Sequence, residues 1–383
     1  MNNATKTIIG LVVLALIIWG GYSFWSSALE EGEGEVIKIG AILPFTGSSG
    51  ITGESSRNGL ELALQETNDL GGIDGKEIKL IYEDSQTKTD IGLTAFQKLK
   101  DIDKIKIVFT SVSGVALAIS PLANSNQIIQ MDIVAASPNY ATPNDFTFRT
   151  GVNSYLFAEK MSSVLIDKEI KEVALLFVNS EYGVGYKDVF VREYERLGGK
   201  IKIIESFNQG EKDFRTQLLK IKDKQTAILV LISLQKETPP LLKQMDELNF
   251  NIPIYTDVYT AELSENLGAR NAENMIYLKP IVDFGDKENL IANKFREDYL
   301  KKYNTEPDFM SAQGYDGLRL LVEAMGKCEN LEDTECIKNN LYKITDFQGA
   351  IGKNLSFDAN GEITDRSLEL KTIKNGEFVP YEE

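Results

Sequence analysis

The sequence predicts an α/β protein of parallel sheets covered by helices on both faces, behind one N-terminal membrane-spanning segment. Three observations carry that expectation. Apolar runs of strand length alternate with amphipathic stretches through nearly all of the chain after residue 35, a rhythm that belongs to βαβ units. Loops of glycine and hydroxyl residues follow several of those strands, where open α/β sheets bind small ligands. The length of 383 residues suits roughly two domains, each with its own core.

The first residues stand apart. Lys6 precedes Thr7–Trp25, a run without charge, and Glu30, Glu31, Glu33 and Glu35 follow it. As a helix that run spans about 28 Å, close to the hydrocarbon thickness of a bilayer. The charge asymmetry predicts a cytoplasmic N-terminus with everything beyond Ser26 outside. Residues 1–28 are therefore expected to form a transmembrane anchor. The competing reading is a cleaved signal segment with Ser26-Ser27-Ala28 as its cleavage site. The run ends in bulky Trp25 and no cysteine follows it to carry a lipid. Residues 29–35 read as an acidic linker.

Val36 opens the folded part. VIKIGAILPFTG is a buried strand that runs into a loop of Gly47, Ser48, Ser49, Gly50 and Gly53. A helix from about Ser55 to Asn68 follows, with Leu60, Ala63, Leu64 and Thr67 on one face. Further expected elements are helix Asp90–Lys100, strand Ile105–Ser111, helix Ala116–Ser125, strand Ile128–Val134 and strand Phe146–Thr150. The scheme then repeats. Strands Val173–Val178, Ile201–Ser206, Ala227–Ile232 and Ile252–Thr256 alternate with helices Gly185–Leu197, Asp213–Lys222 and Pro240–Leu248. Met275–Lys279 starts a return through helices Lys287–Tyr303 and Asp308–Met325 to a β-rich tail, Ile351–Asp358 and Ser367–Ile373.

Composition narrows the function. With 57 acids against 41 bases and a net charge of −16, the chain would repel a polyanion, so no nucleic-acid partner is expected. The absence of histidine rules out Ser-His-Asp and Cys-His nucleophiles. No GxxxxGK[ST], GxSxG or EF-hand pattern is present. Gly183-Val184-Gly185 resembles the start of a dinucleotide fingerprint, but Asp188 stands where its third glycine belongs. No cofactor, metal or enzyme activity is expected. Cys328 and Cys336, eight residues apart in GKCENLEDTECIKNN, are expected to be bridged in an exported domain. Closing so small a loop stabilises by about 2–3 kcal/mol. Small polar and aromatic residues remain at the carboxyl ends of the predicted strands: Ser113, Ala136, Ser137, Tyr182 and Asp257. Drawn from both halves, they are expected to converge on one cleft.

These segments resemble a known family. IGAILPFTGSSG and the helix after it are similar to the start of type I periplasmic solute-binding proteins of the branched-chain amino-acid group. The likeness continues through VFTSVSGVALAIS, AASPNYAT, FTFRT, VALLFVNSEYGVGYKDVF, GEKDFRTQL and QGYDGLRLL, covering almost everything from Val36 onward. It implies two Rossmann-like lobes joined by a three-strand hinge, which close over a ligand. The first lobe would hold residues 36–152 with 280–362, and the second 153–279 with 363–383. By the same resemblance Ser113 and the Ala136–Ser137 loop receive the ligand's carboxylate. Asp257 pairs with its amine, Tyr182 closes over it from the second lobe, and Tyr315 lies on the cleft side near the hinge. The family's first-loop aromatic residue falls near Thr52 and a second-lobe tyrosine near Leu234, so the wall around the ligand side chain differs, and the family's usual first-lobe disulfide is absent. The implied function is an extracytoplasmic binding protein for an amino acid or a related carboxylate or amide, handing it to ABC permease subunits as a monomer. The alternative is an anchored ligand-sensing domain without a transport role.

Overall fold

The computed structural model describes residues 36–257, 272–273, 275–282, 284–375 and 377–381. The expected anchor (1–28) and linker (29–35) lie outside these residues. Among the described residues no helix is long and apolar enough to cross a membrane.

The chain begins with β1 (Ile37–Leu43), α1 (Gly50–Asp69), β2 (Ile78–Asp84), α2 (Thr89–Lys98), β3 (Ile107–Thr110), α3 (Ser113–Ser125), β4 (Ile129–Asp132) and β5 (Thr147–Arg149). Their strands form a five-stranded parallel sheet in the order β2-β1-β3-β4-β5. Next come α4 (Ser154–Asp167), β6 (Glu172–Asn179), α5 (Glu181–Arg196), β7 (Lys200–Asn208), α6 (Arg215–Asp223), β8 (Leu229–Ile232), α7 (Thr238–Glu247), β9 (Ile254–Thr256) and β10 (Ile276–Pro280). The chain returns to the first sheet through α8 (Leu290–Tyr303), α9 (Phe309–Met325) and α10 (Thr334–Tyr342), whose apolar faces share its core. It ends in β11 (Leu368–Lys374) and β12 (Glu377–Pro380). These two strands pair antiparallel beside β10, completing a seven-stranded sheet in the order β12-β11-β10-β9-β8-β6-β7.

The inner strands of both sheets are buried on two faces, which explains why they read as continuous apolar runs, while the edge strand β7 alternates between exposed and half-buried residues. In β6, Val173 and Leu175 enter the core shared with α4 and α5, while Ala174, Leu176 and Val178 enter the opposite core with Leu218 and Leu241. In the first sheet Ile39, Ala41 and Leu43 pack towards α1 and α9, and Ile42 and Val108 towards Phe96 and Ile119. Glycine sets how closely α1 and α9 approach. A Cβ on Gly59 would lie 1.8 Å from the Ser311 carbonyl oxygen, and one on Gly314 would lie 2.6 Å from that of Ser56. The two helices thus cross backbone to backbone, with α9 started by a capping box in which Asp308 accepts from the Ser311 amide. Pro121 lies inside α3 and cannot donate to the Leu117 carbonyl; the Ser120 hydroxyl donates to it instead, at 3.2 Å.

Several boundaries differ from those expected. Helices α1, α3 and α5 start at Gly50, Ser113 and Glu181, earlier than their apolar periodicity indicates. Their first turns are interrupted by glycine and polar residues, so the helical state there comes from tertiary contacts rather than propensity. Helices α4 and α10 have no counterpart among the expected elements. The segment Ile351–Asp358, expected as a strand, contributes only isolated bridges such as Phe347 with Leu355. Cys328 and Cys336 form a disulfide that ties the end of α9 to the first turn of α10.

Candidate functional site

A cavity of about 390 Å³ lies between the two sheets, lined from both sides and within the size range of small-molecule sites. Its wall is made by segments that leave strand carboxyl ends. Ser111–Val115 follow β3, Val134–Ala136 follow β4, Asn179–Tyr182 follow β6, Ser233–Gln235 follow β8, and Asp257 follows β9. Convergence is a consequence of parallel topology, since every loop of this kind emerges on the same edge of its sheet.

The first-sheet side is built to receive an anion. Helix α3 begins at Ser113 without a side-chain cap, and its first intrahelical bond runs from the Ala116 amide to the Val112 carbonyl at 2.9 Å. The amides of Ser113, Gly114 and Val115 therefore have no partner within the helix, and all three residues line the cavity. The helix dipole adds positive potential there. The Ser113 hydroxyl accepts from the amides of Ala136 and Ser137, both at 3.1 Å, which leaves its own proton to donate.

That turn is tied from below. Asp132 accepts from the Val134 amide (2.9 Å), from the Ala135 amide and from the Thr110 hydroxyl (2.6 Å). Arg149, fully buried, donates to the carbonyls of Ala135 (2.7 Å) and Ser137 (2.8 Å) and forms a bidentate pair with Glu362. Burial raises the carboxyl pKa of Asp132, opposed by its hydrogen bonds and the nearby Arg149 charge.

The second-sheet side carries a carboxylate. Asp257 accepts from the Tyr182 hydroxyl, with both carboxylate oxygens at 2.8 Å. Burial pushes the Asp257 carboxyl up to about 7, and the Tyr182 hydrogen bond only partly offsets this. Helix α5 brings Tyr182 to the wall. Ser180 caps that helix by accepting from the Gly183 amide at 3.3 Å, and a Cβ on Gly183 would lie 1.9 Å from the Val178 carbonyl oxygen. Gly185 faces Pro138, where a Cβ would meet the ring at 2.7 Å. The Gly183-Val184-Gly185 sequence is thus explained by close packing of α5 on its own strand and on the opposite loop.

Hydrogen bonds cross the cleft among the described residues. Gln235 donates to the Thr52 hydroxyl at 2.9 Å, and Gln209 donates to the Thr87 carbonyl at 2.9 Å. Thr52 and Leu234, the positions where the resembled family has aromatic residues, both line the cavity.

Of the residues expected at the ligand, Ser113, Ala136, Tyr182, Asp257 and Thr52 lie in the wall, but Ser137 and Tyr315 do not. Ser137 is buried behind Ala136, its amide on Ser113 and its carbonyl on Arg149. Tyr315 lies in the first core, its ring 4.7 Å from that of Phe295 and its hydroxyl donating to Glu66 at 2.6 Å. The reason is helical phase. Phe309, Met310 and Gln313 of α9 face the cavity, and a residue two positions beyond Gln313 is turned about 200° away. Sequence reasoning missed Gln209, Gln235 and Gln313 in the wall. Only Arg149 left a signal, as the cation of FTFRT in a buried strand.

The sequence profile of the periplasmic binding proteins matches residues 36–377. A Leu/Ile/Val-binding protein homolog of Brucella suis is 24% identical over 363 residues, 93% of each chain. The crystal structure of a leucine-binding protein from Thermotoga maritima superposes with a TM-score of 0.83 at 24% identity, covering 90% of this chain and 98% of that one. A branched-chain amino-acid transporter substrate-binding protein from Streptococcus pneumoniae, solved in complex with isoleucine, gives 0.79 at 26% identity, covering 90% and 98%.

Proposed function

We propose that this chain, which belongs to the periplasmic binding protein family, captures a small α-amino acid between two lobes for delivery to an ABC importer. The family consists of solute-binding proteins and not enzymes, and membership implies an extracytoplasmic location. One observation carries the choice of ligand. A single cavity has an uncapped helix N-terminus with the Ser113 hydroxyl on one side and the Tyr182–Asp257 carboxylate on the other. An anion-accepting and a cation-accepting group in facing walls suit a zwitterion, its carboxylate at Ser113, Gly114 and Val115 and its ammonium at Asp257.

In this reading residues 36–152 with 280–362 act as one lobe and 153–279 with 363–383 as the other. The ligand bridges them because only the closed state offers both charge partners at once. The uncharged Thr7–Trp25 run would keep the protein on the outer face of the membrane. Calorimetry of residues 29–383 against the proteinogenic amino acids tests the assignment. Micromolar or tighter binding of at least one of them, accompanied by compaction in small-angle scattering, is expected. Absence of binding by all of them, or a radius that ligand does not change, overturns it.

A further inference from the structure

Gln313 is buried to 1% exposure and lines the cavity, yet neither Nε2 nor Oε1 of its side chain has a hydrogen-bond partner within the protein. A buried polar atom without a partner is costly, and native proteins rarely keep one without a use. Here both ends of one amide are left open on the cavity side of α9. The backbone around it is satisfied: the Gln313 carbonyl accepts from the Thr150 hydroxyl at 3.1 Å, and the capping box and the Gly314 contact with α1 hold the helix in place. The side chain is therefore presented by a rigid element. Across the cleft Gln235 repeats the pattern in part. Its Nε2 is committed to Thr52, but its Oε1 is also buried without a partner.

We propose that Gln313 is a ligand-binding residue that reads a carboxamide on the ligand's side chain, so that the captured amino acid carries a small amide, as asparagine does, rather than an aliphatic group. This rests on the zwitterion reading above. The α-carboxylate and α-ammonium already have their receptors at α3 and at Asp257, so the open amide is left for a third polar group. A carboxamide suits it, because Gln313 Nε2 donates to the ligand's carbonyl while Gln313 Oε1 accepts from its NH₂, closing a two-bond ring. A methyl-ended side chain of the same shape would leave both atoms stranded. Sites built to bond a polar group reject analogues that lack it far more strongly than apolar pockets separate homologues.

Asparagine and leucine are close in shape, which makes them the discriminating pair. Calorimetry on residues 29–383 is expected to give asparagine at least about 100-fold tighter binding than leucine. Gln313→Leu is expected to cut asparagine affinity about 10- to 100-fold while leaving leucine binding unchanged or improved. Should Gln313→Leu not fold, Gln313→Met keeps a flexible side chain of similar length and should move the ratio in the same direction. Leucine binding as tightly as asparagine, or a ratio that neither variant changes, overturns this inference and leaves the proposed function standing. Equal loss for both ligands also overturns it, since Gln313 would then act on the α-groups. Failure of every amino acid to bind removes the function and this inference together.

Discussion

The two walls of the cavity offer opposite solutions to holding charge. The first-sheet wall presents backbone amides and the hydroxyls of Ser111, Ser113 and Thr52, with no carboxylate or cation among its described lining residues, and it is tied by Asp132 and Arg149 from beneath. The second-sheet wall presents the buried Asp257 carboxylate, whose hydrogen-bonding side chain is Tyr182 and whose pKa burial pushes up to about 7, with Glu181 also in the lining. Receptors made from dipoles keep their strength at any pH and depend on the stability of the fold. A receptor made from a buried charge depends on its protonation state. The anion side should therefore fail through unfolding and the cation side through titration.

The largest effect is expected behind the first wall. Arg149→Met strands the Glu362 carboxylate and the carbonyls of Ala135 and Ser137, and urea unfolding should show a loss of about 3–5 kcal/mol. A loss below about 1 kcal/mol would mean that this wall is not held by its buried ion pair. Next comes Asp257→Asn, which should weaken amino-acid binding by about 1.5–3 kcal/mol, roughly 10- to 150-fold, without destabilising the unliganded fold. Calorimetry together with melting separates the two quantities, and a fall in both would make Asp257 a structural residue.

The contrast in pH response follows from the raised pKa. An ammonium ligand pairs with the ionised carboxylate, so binding should be strongest above pH 7. It should weaken as pH falls below 7, by up to about tenfold per unit, because the ligand must displace a proton. Without ligand the linkage has the opposite sense. An unfolded aspartate ionises near 3.9, so this residue's contribution to stability is greatest below about pH 4, declines as pH rises to about 7 and is level above. Titrating affinity from pH 5 to 9 in wild type and Asp257→Asn tests this: a flat wild-type profile would remove the cation receptor. The smallest effect belongs to the bridge between the walls. Thr52→Val removes the acceptor of the Gln235 amide and should cost about 0.5–1.5 kcal/mol of ligand affinity. No change would mean that the bond does not favour closure.

Much of this molecule is legible in the chain itself. The apolar strand runs and the helices between them announce parallel sheets, because burial on both faces demands continuous hydrophobicity. Strand ends also identify the cavity edge, which places Ser113, Ala136, Tyr182 and Asp257 in its wall, whereas Ser137, read in the same way, lies buried behind Ala136. Helix starts were harder to read. Ser113 and Glu181 begin helices although no apolar period marks them, since their first turns are stabilised by cavity and strand contacts distant in sequence.

Local pattern established the layers, the strand ends and the proximity of the two cysteines, because these depend on periodicity and short chain separation. Three-dimensional packing decided the rest. Whether Gln313 or Tyr315 faces the cavity depends on the rotation of α9, and that rotation is imposed by Gly59 and Gly314 crossing at backbone distance. The burial that moves Asp257 towards neutrality and the clamp of Arg149 on its turn join residues far apart along the chain. Such properties arise from neighbours assembled by folding, and no stretch of sequence contains them.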